Sequence, residues 1–183
     1  MPHRSRTAVD SPGSPKPFQF ECASCGETHE GIPCLAWDFP VQYLAVPEHE
    51  RSARVRLTED VCVIDEEWFF VRGCLELPVH GYDEPLSYGV WLSLSRASFA
   101  EYTRLLDKVD RDDTTEFFGW LCSAIPGYPD TQLLKTRVHV RPWPTRPSVV
   151  LEPTDHPLAV EQREGIPAWR VQQVAERVVH SRH

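Results

Sequence analysis

Residues 68–79 alternate with a period of two. Phe69, Val71, Leu75, Leu77 and Val79 fall on one side of an extended chain, and Phe70, Arg72, Cys74 and Glu76 fall on the other, the pattern of a half-buried strand. The turn-forming run His80-Gly81-Tyr82-Asp83-Glu84-Pro85 follows. Leu86, Tyr88, Val90, Leu92 and Leu94 then alternate with Ser87, Gly89, Trp91 and Ser93. Two alternating runs joined by turn residues predict a long antiparallel hairpin. The period changes after Ser95, a good N-cap, where Phe99, Tyr102, Leu105, Leu106 and Val109 recur at helical spacing and stop in the charged run at 110–113. Residues 115–124, 133–141 and 148–151 predict three more strands, separated by Pro126, Pro129, Pro142 and Pro144, because proline marks strand ends. Beyond Pro153 the spacing is helical again. Residues 157–164 form a short helix with Gly165 past its end, and Pro167 opens a second helix carrying Val171, Val174, Ala175 and Val178 on one stripe. Residues 61–64 read as a further strand-like run, and short helical stretches are expected at 41–45 and 47–53.

Segregated strands and helices give an α+β fold class. The expected architecture is an antiparallel sheet of about five strands with a crossover helix, C-terminal helices and an N-terminal Cys/His knuckle. Residues 1–17, rich in proline, serine and glycine, are read as a disordered tail, and 18–183 as one domain with the knuckle at 18–34. Residues 1–16 hold no apolar run fit for a signal-peptide core, and no stretch approaches the roughly 18 apolar residues of a membrane helix. The cytoplasm is the expected compartment, with no membrane involved.

Six cysteines in a reducing compartment favour metal ligation or simple burial over disulfides. Cys22-Ala23-Ser24-Cys25-Gly26-Glu27-Thr28-His29 sets two thiols at the spacing from which a tight turn reaches one tetrahedral ion. Gly26 suits a backbone position with positive φ, and His29 is the natural third donor to a structural zinc ion, Zn2+. Cys34 and Cys62 both stand as candidates for the fourth. The plainer alternative is a loop of reduced cysteines. A redox CxxC fits less well, because no βαβ unit surrounds it.

A formal charge of -8 argues against non-specific nucleic-acid binding, although Lys135, Arg137, His139 and Arg141 alternate as a short basic stripe. On the polar side of the hairpin, Arg72 and Trp91, together with Trp120, could line a ligand face. Arg72 paired to Glu76 beneath the C-terminal helices is the structural alternative. Asp155 beside His156 could orient an imidazole for acid/base work, or else this segment simply caps the following helix. GxSxG, HExxH and phosphate-loop motifs are absent from the sequence.

FxCxxCGxxHxG, then DVCVID, FFVRGCLELPV, YGVWLSLS, FFGWL, YPDT, RP and TDHPLAVEQREGI resemble an uncharacterised bacterial family, domain of unknown function 2199. The resemblance covers nearly all of residues 18–174. It implies family cysteines at Cys22, Cys25 and Cys62 and a histidine at His29, with none at the position of Cys34, and so selects Cys62 as the fourth ligand. The expected function is a small zinc-binding protein that acts as a structural or interaction module with a protein partner. The alternatives are a hydrolase-like enzyme using His156, Asp155 and Arg72, and a bacterial immunity-type protein.

Overall fold

The computed structural model describes residues 17–179 apart from Ser24, Asp112 and Asp113. The expected N-terminal tail lies outside the described residues, save Pro17. Ten strands and four α-helices are described. The strands are β1 (Gln19–Glu21), β2 (Thr28–Glu30), β3 (Cys34–Ala36), β4 (Val55–Leu57), β5 (Val61–Ile64), β6 (Trp68–Leu77), β7 (Leu86–Leu94), β8 (Glu116–Leu121), β9 (Lys135–His139) and β10 (Ser148–Leu151). The helices are α1 (Arg51–Arg54), α2 (Arg96–Leu106), α3 (Pro157–Glu164) and α4 (Ala168–Val179). The elements therefore follow the α+β pattern of the sequence, with 3-10 turns at Val41–Ala45 and Glu48–Glu50.

The strands do not lie as one antiparallel sheet. Successive antiparallel pairs run from β6 through β7, β8 and β9 to β10, and β10 then returns to β6 in parallel, Ser148 opposite Cys74 and Val149 opposite Leu75. The five strands close into a barrel. Both strands of the hairpin are long enough to serve two neighbours. β6 pairs along Trp68–Val71 with β5 and farther on with β10, while β7 takes β3 at its start and β8 near its end.

Closure needs a gap in the side-chain layer. A Cβ on Gly73 would stand 2.6 Å from Val149 Cγ2 and 3.2 Å from the Pro147 carbonyl oxygen, so the residue without one lets β10 approach. The interior is packed rather than hollow, as expected for so small a barrel. Val71, Leu75, Leu77, Tyr88, Val90, Leu92, Val138 and Val149 fill it in one apolar cluster with Leu158, Val171, Val174 and Ala175 of α3 and α4. The side chain of Val178 lies outside the described residues.

The outer face of the hairpin is also covered. Phe70, Trp91, Cys62 and Cys122 are fully buried in a second cluster with Val46 and Ile64. Here the expected cover, the C-terminal helices, is replaced by the chain around Trp37 and the 3-10 turn before Val46.

Ser95 caps α2 as expected, its hydroxyl accepting from the Ser98 amide. The helix ends at Leu106, short of Val109, which is 72% exposed. Arg111 explains the early stop. Its guanidinium is buried and donates to three carbonyls, Leu106 at the end of α2 (3.2 Å), Arg141 (2.5 Å) and Thr145, satisfying one of the acceptors a helix end leaves open.

Gly73→Ala is expected to cost about 1–3 kcal/mol through overpacking at the closure, read as a lower urea midpoint. A change below about 0.5 kcal/mol would show that β10 gives way freely.

Candidate metal centre

The knuckle is built by a short hairpin. β1 pairs with β2 so that Phe20 stands opposite His29, and the His29 ring stacks on Phe20 with centroids 5.4 Å apart. Between the strands the Gly26 amide donates to the Cys22 carbonyl at 2.8 Å, and the Cys22 amide donates to Glu27 at 2.9 Å. Gly26 has φ 74°, a value that glycine adopts without steric cost. This turn brings one ligand atom each from Cys22, Cys25 and His29 within 4.8 Å of one another.

Cys25 Sγ lies 3.4 Å from His29 Nε2. A sulfur and a nitrogen on one tetrahedral zinc ion stand roughly 3.6 Å apart, given bonds of about 2.3 and 2.0 Å. The spacing therefore fits a shared ion. Cys22 is buried, His29 half-buried and Cys25 exposed, so the group opens to the surface.

Cys62 does not join it. Its side chain points to the outer face of β5, among Phe70, Trp91 and Cys122, while Cys22 packs in the interior cluster. Burial alone pushes the Cys62 thiol up to about 12. Cys34, the other candidate, is exposed on β3 opposite Ser87 and is likewise outside the group.

Of the expected ligand face, Arg72 and Trp91 stay together, while Trp120 lies in a groove that includes neither of them. Trp91 is fully buried, and its indole N–H donates to the Trp37 carbonyl at 2.8 Å. Arg72 lies over the Trp91 ring at 5.8 Å and donates to the Glu59 carbonyl at 3.4 Å. It does not pair with Glu76, which binds Arg141 at 3.1 Å, because four residues of strand span about 13 Å. Trp120 belongs elsewhere, to an outer groove of about 400 Å3 with Trp68, Phe118, Ser93 and Arg96 that includes neither Arg72, Trp91 nor His156. His156 caps α3, its Nδ1 accepting from the Leu158 amide at 3.2 Å. Asp155 precedes it in the connection from β10. The basic stripe is interleaved with acids, Lys135 facing Glu152 at 3.9 Å while Arg137 and His139 both face Glu116.

A family model described as an uncharacterized protein conserved in bacteria (DUF2199) matches residues 21–166. The chain belongs to the DUF2199 family. No curated protein and no solved structure matches it. The DUF2199 match takes in all three clustered donors and the whole barrel, but ends before α4.

Two polar features of this DUF2199 chain have no simple signature in its sequence. Arg111 is one, since nothing in a charged run marks the arginine that folds inward. The other joins the helices. Tyr128 donates its hydroxyl to Glu161, Arg170 donates to the same carboxylate at 3.1 Å, and the guanidinium lies 5.0 Å from the Tyr128 ring centre. This network fastens α4 to α3 and to the loop after β8. Neighbouring Tyr88 has its phenol pushed up to about 12 by burial. No helix among the described residues is long and apolar enough to cross a membrane.

The thiols should differ in reactivity accordingly. At pH 8 Ellman's reagent is expected to modify exposed Cys34 in the native protein, while Cys62 and Cys122, buried and with raised pKa, stay protonated and react only after unfolding. Peptide mapping reads the sites. Exposure of Cys62 on treatment with a chelator would restore it as a ligand.

Proposed function

We propose that residues 18–183 form one zinc-stabilised domain that works in the cytoplasm by binding a protein partner. The convergence of Cys22, Cys25 and His29 carries this reading. Thiolate and imidazole are a normal zinc donor set, and a β1–β2 hairpin with three-residue strands has too little core to hold its shape alone. The ion would staple the knuckle, its binding energy adding directly to the folding of that segment.

The partner face is the groove beside α2. Trp68, Phe118 and Trp120 are 56%, 38% and 37% exposed there, and the last two rings meet edge-to-face at 5.2 Å. Aromatic side chains of this kind are enriched at interface centres. His156 commits its Nδ1 to capping α3 and does not line the groove that holds Trp120, which supports a binding module over the hydrolase-like alternative. An immunity-type role is one form of such binding.

Purified protein is expected to carry about one zinc per chain by elemental analysis. Cys22→Ser should lose the metal and loosen the knuckle, whereas Cys62→Ser should keep it; protein made with zinc available and found free of it would end the metal reading. Co-purification from the native host checks the partner face. A captured protein should be lost with Trp68→Ala/Trp120→Ala and retained with Trp143→Ala, which alters an exposed tryptophan outside the groove.

A further inference from the structure

Strand register places the walls of the groove beside α2. Trp120 stands opposite Ser93 and Ser93 opposite Phe70, so two residues farther along Phe118 and Trp68 come level on either side of Ser95, where the chain leaves β7 for α2. Those positions are two strand spacings apart, about 9.6 Å. Between them β7 offers only small outward side chains, those of Ser93 and Ser95. The groove is therefore a trough with Trp68 on one wall and, on the other, Phe118 and Trp120 with their rings perpendicular at 85°.

The uncommitted polar groups of this trough are mostly donors. Unlike that of Trp91, the indole N–H groups of Trp68 and Trp120 meet no acceptor among the described residues. Arg96 gives one N–H to the Glu66 carbonyl at 2.5 Å and lies over the Phe69 ring at 4.7 Å, which leaves its remaining N–H groups open. Ser95 and Ser98 are engaged with one another in the helix cap. The one acid is Glu67, exposed and without an ion-pair partner among the described residues.

A ligand matched to this surface brings flat apolar rings and carbonyl acceptors, with few N–H groups of its own to satisfy. Proline has a C=O and no N–H. A polyproline II helix repeats every three residues, about 9.3 Å, so prolines three apart can rest one on Trp68 and one on the Phe118–Trp120 pair. An added β-strand fits less well, because it brings as many donors as acceptors. We infer that the partner face binds a proline-rich segment in the polyproline II conformation, two prolines three residues apart, with a basic residue at its Glu67 end. The inference rests on the reading of this groove as the partner face.

Titration of nitrogen-15-labelled full-length protein with a decaproline peptide ending in arginine tests it, read on the tryptophan indole N–H resonances. Those of Trp68 and Trp120 are expected to shift with a Kd below about 1 mM, while those of Trp143 and Trp169, exposed outside the groove, stay in place. A Gly/Ser peptide of equal length should move none of them. Glutamate in place of the terminal arginine should weaken binding about threefold, and Glu67→Gln should remove that difference. Resonances of Trp68 and Trp120 that stay still in excess decaproline, or that move equally with the Gly/Ser peptide, overturn the proline assignment; shifts given by oligothymidylate alone would make the face a nucleic-acid platform instead. The partner face itself survives those results if a captured host protein is lost with Trp68→Ala/Trp120→Ala. A host protein retained by that double variant overturns the face and the assignment with it.

Discussion

The parallel pairing of β10 with β6 is the contact on which the molecule is organised. It requires β10 to pass within van der Waals reach of the β6 backbone at Gly73. Once the ring is closed, each of its strands has an inside and an outside, and the alternation of side chains acquires a definite meaning. Inward residues meet across the barrel and against α3 and α4. Outward residues need a separate cover or must tolerate water. The chain around Trp37 and Val46 covers those of the hairpin, which is why Trp91, Phe70, Cys62 and Cys122 are buried on a face that sequence alternation marks as polar.

Local signals in the sequence carried the elements well. The β6–β7 hairpin, the Ser95 cap, the proline that opens α3 and the positive φ of Gly165 behind it all follow from residue chemistry within a few positions. Closure was not legible, because period-two alternation states which side chains share a face and says nothing about which strand lies next. The same gap moved Cys62. Its place in a strand was read correctly, but the face it shares with Phe70 and Trp91 turns away from the knuckle. The Arg72–Glu76 pair failed for a local reason, since two residues four apart share a face of a strand but stand about 13 Å from one another, and Glu76 meets Arg141 instead. Cys22, Cys25 and His29 were legible because a tight turn brings near neighbours together whatever the remainder of the chain does.

The two ends of the chain depend on one another through polar contacts rather than burial alone. Glu176 and Gln172 hold backbone groups of the knuckle strand, and α4 is itself held by the Arg170–Glu161–Tyr128 network. The knuckle is thus tied to the loop after β8 and to α3 through side chains lying far apart in sequence. The groove beside α2 lies on the outer side of β8, with α2 and the loop before β6.

Parallel closure also sets a timetable for synthesis. Cys74 emerges from the ribosome about seventy residues before its partner Ser148, an interval of roughly 4–15 s at ordinary elongation rates. During that time the far half of β6 has β7 on one side and an open edge on the other, the kind of unpaired strand that recruits chaperones or neighbouring chains. The hairpin can form from local contacts almost at once, whereas the barrel must wait for its last strand and bear the loop-closure entropy of a distant pairing. The nascent protein therefore spends seconds as an open, partly hydrophobic sheet, and its yield in a cell depends on how that interval is protected.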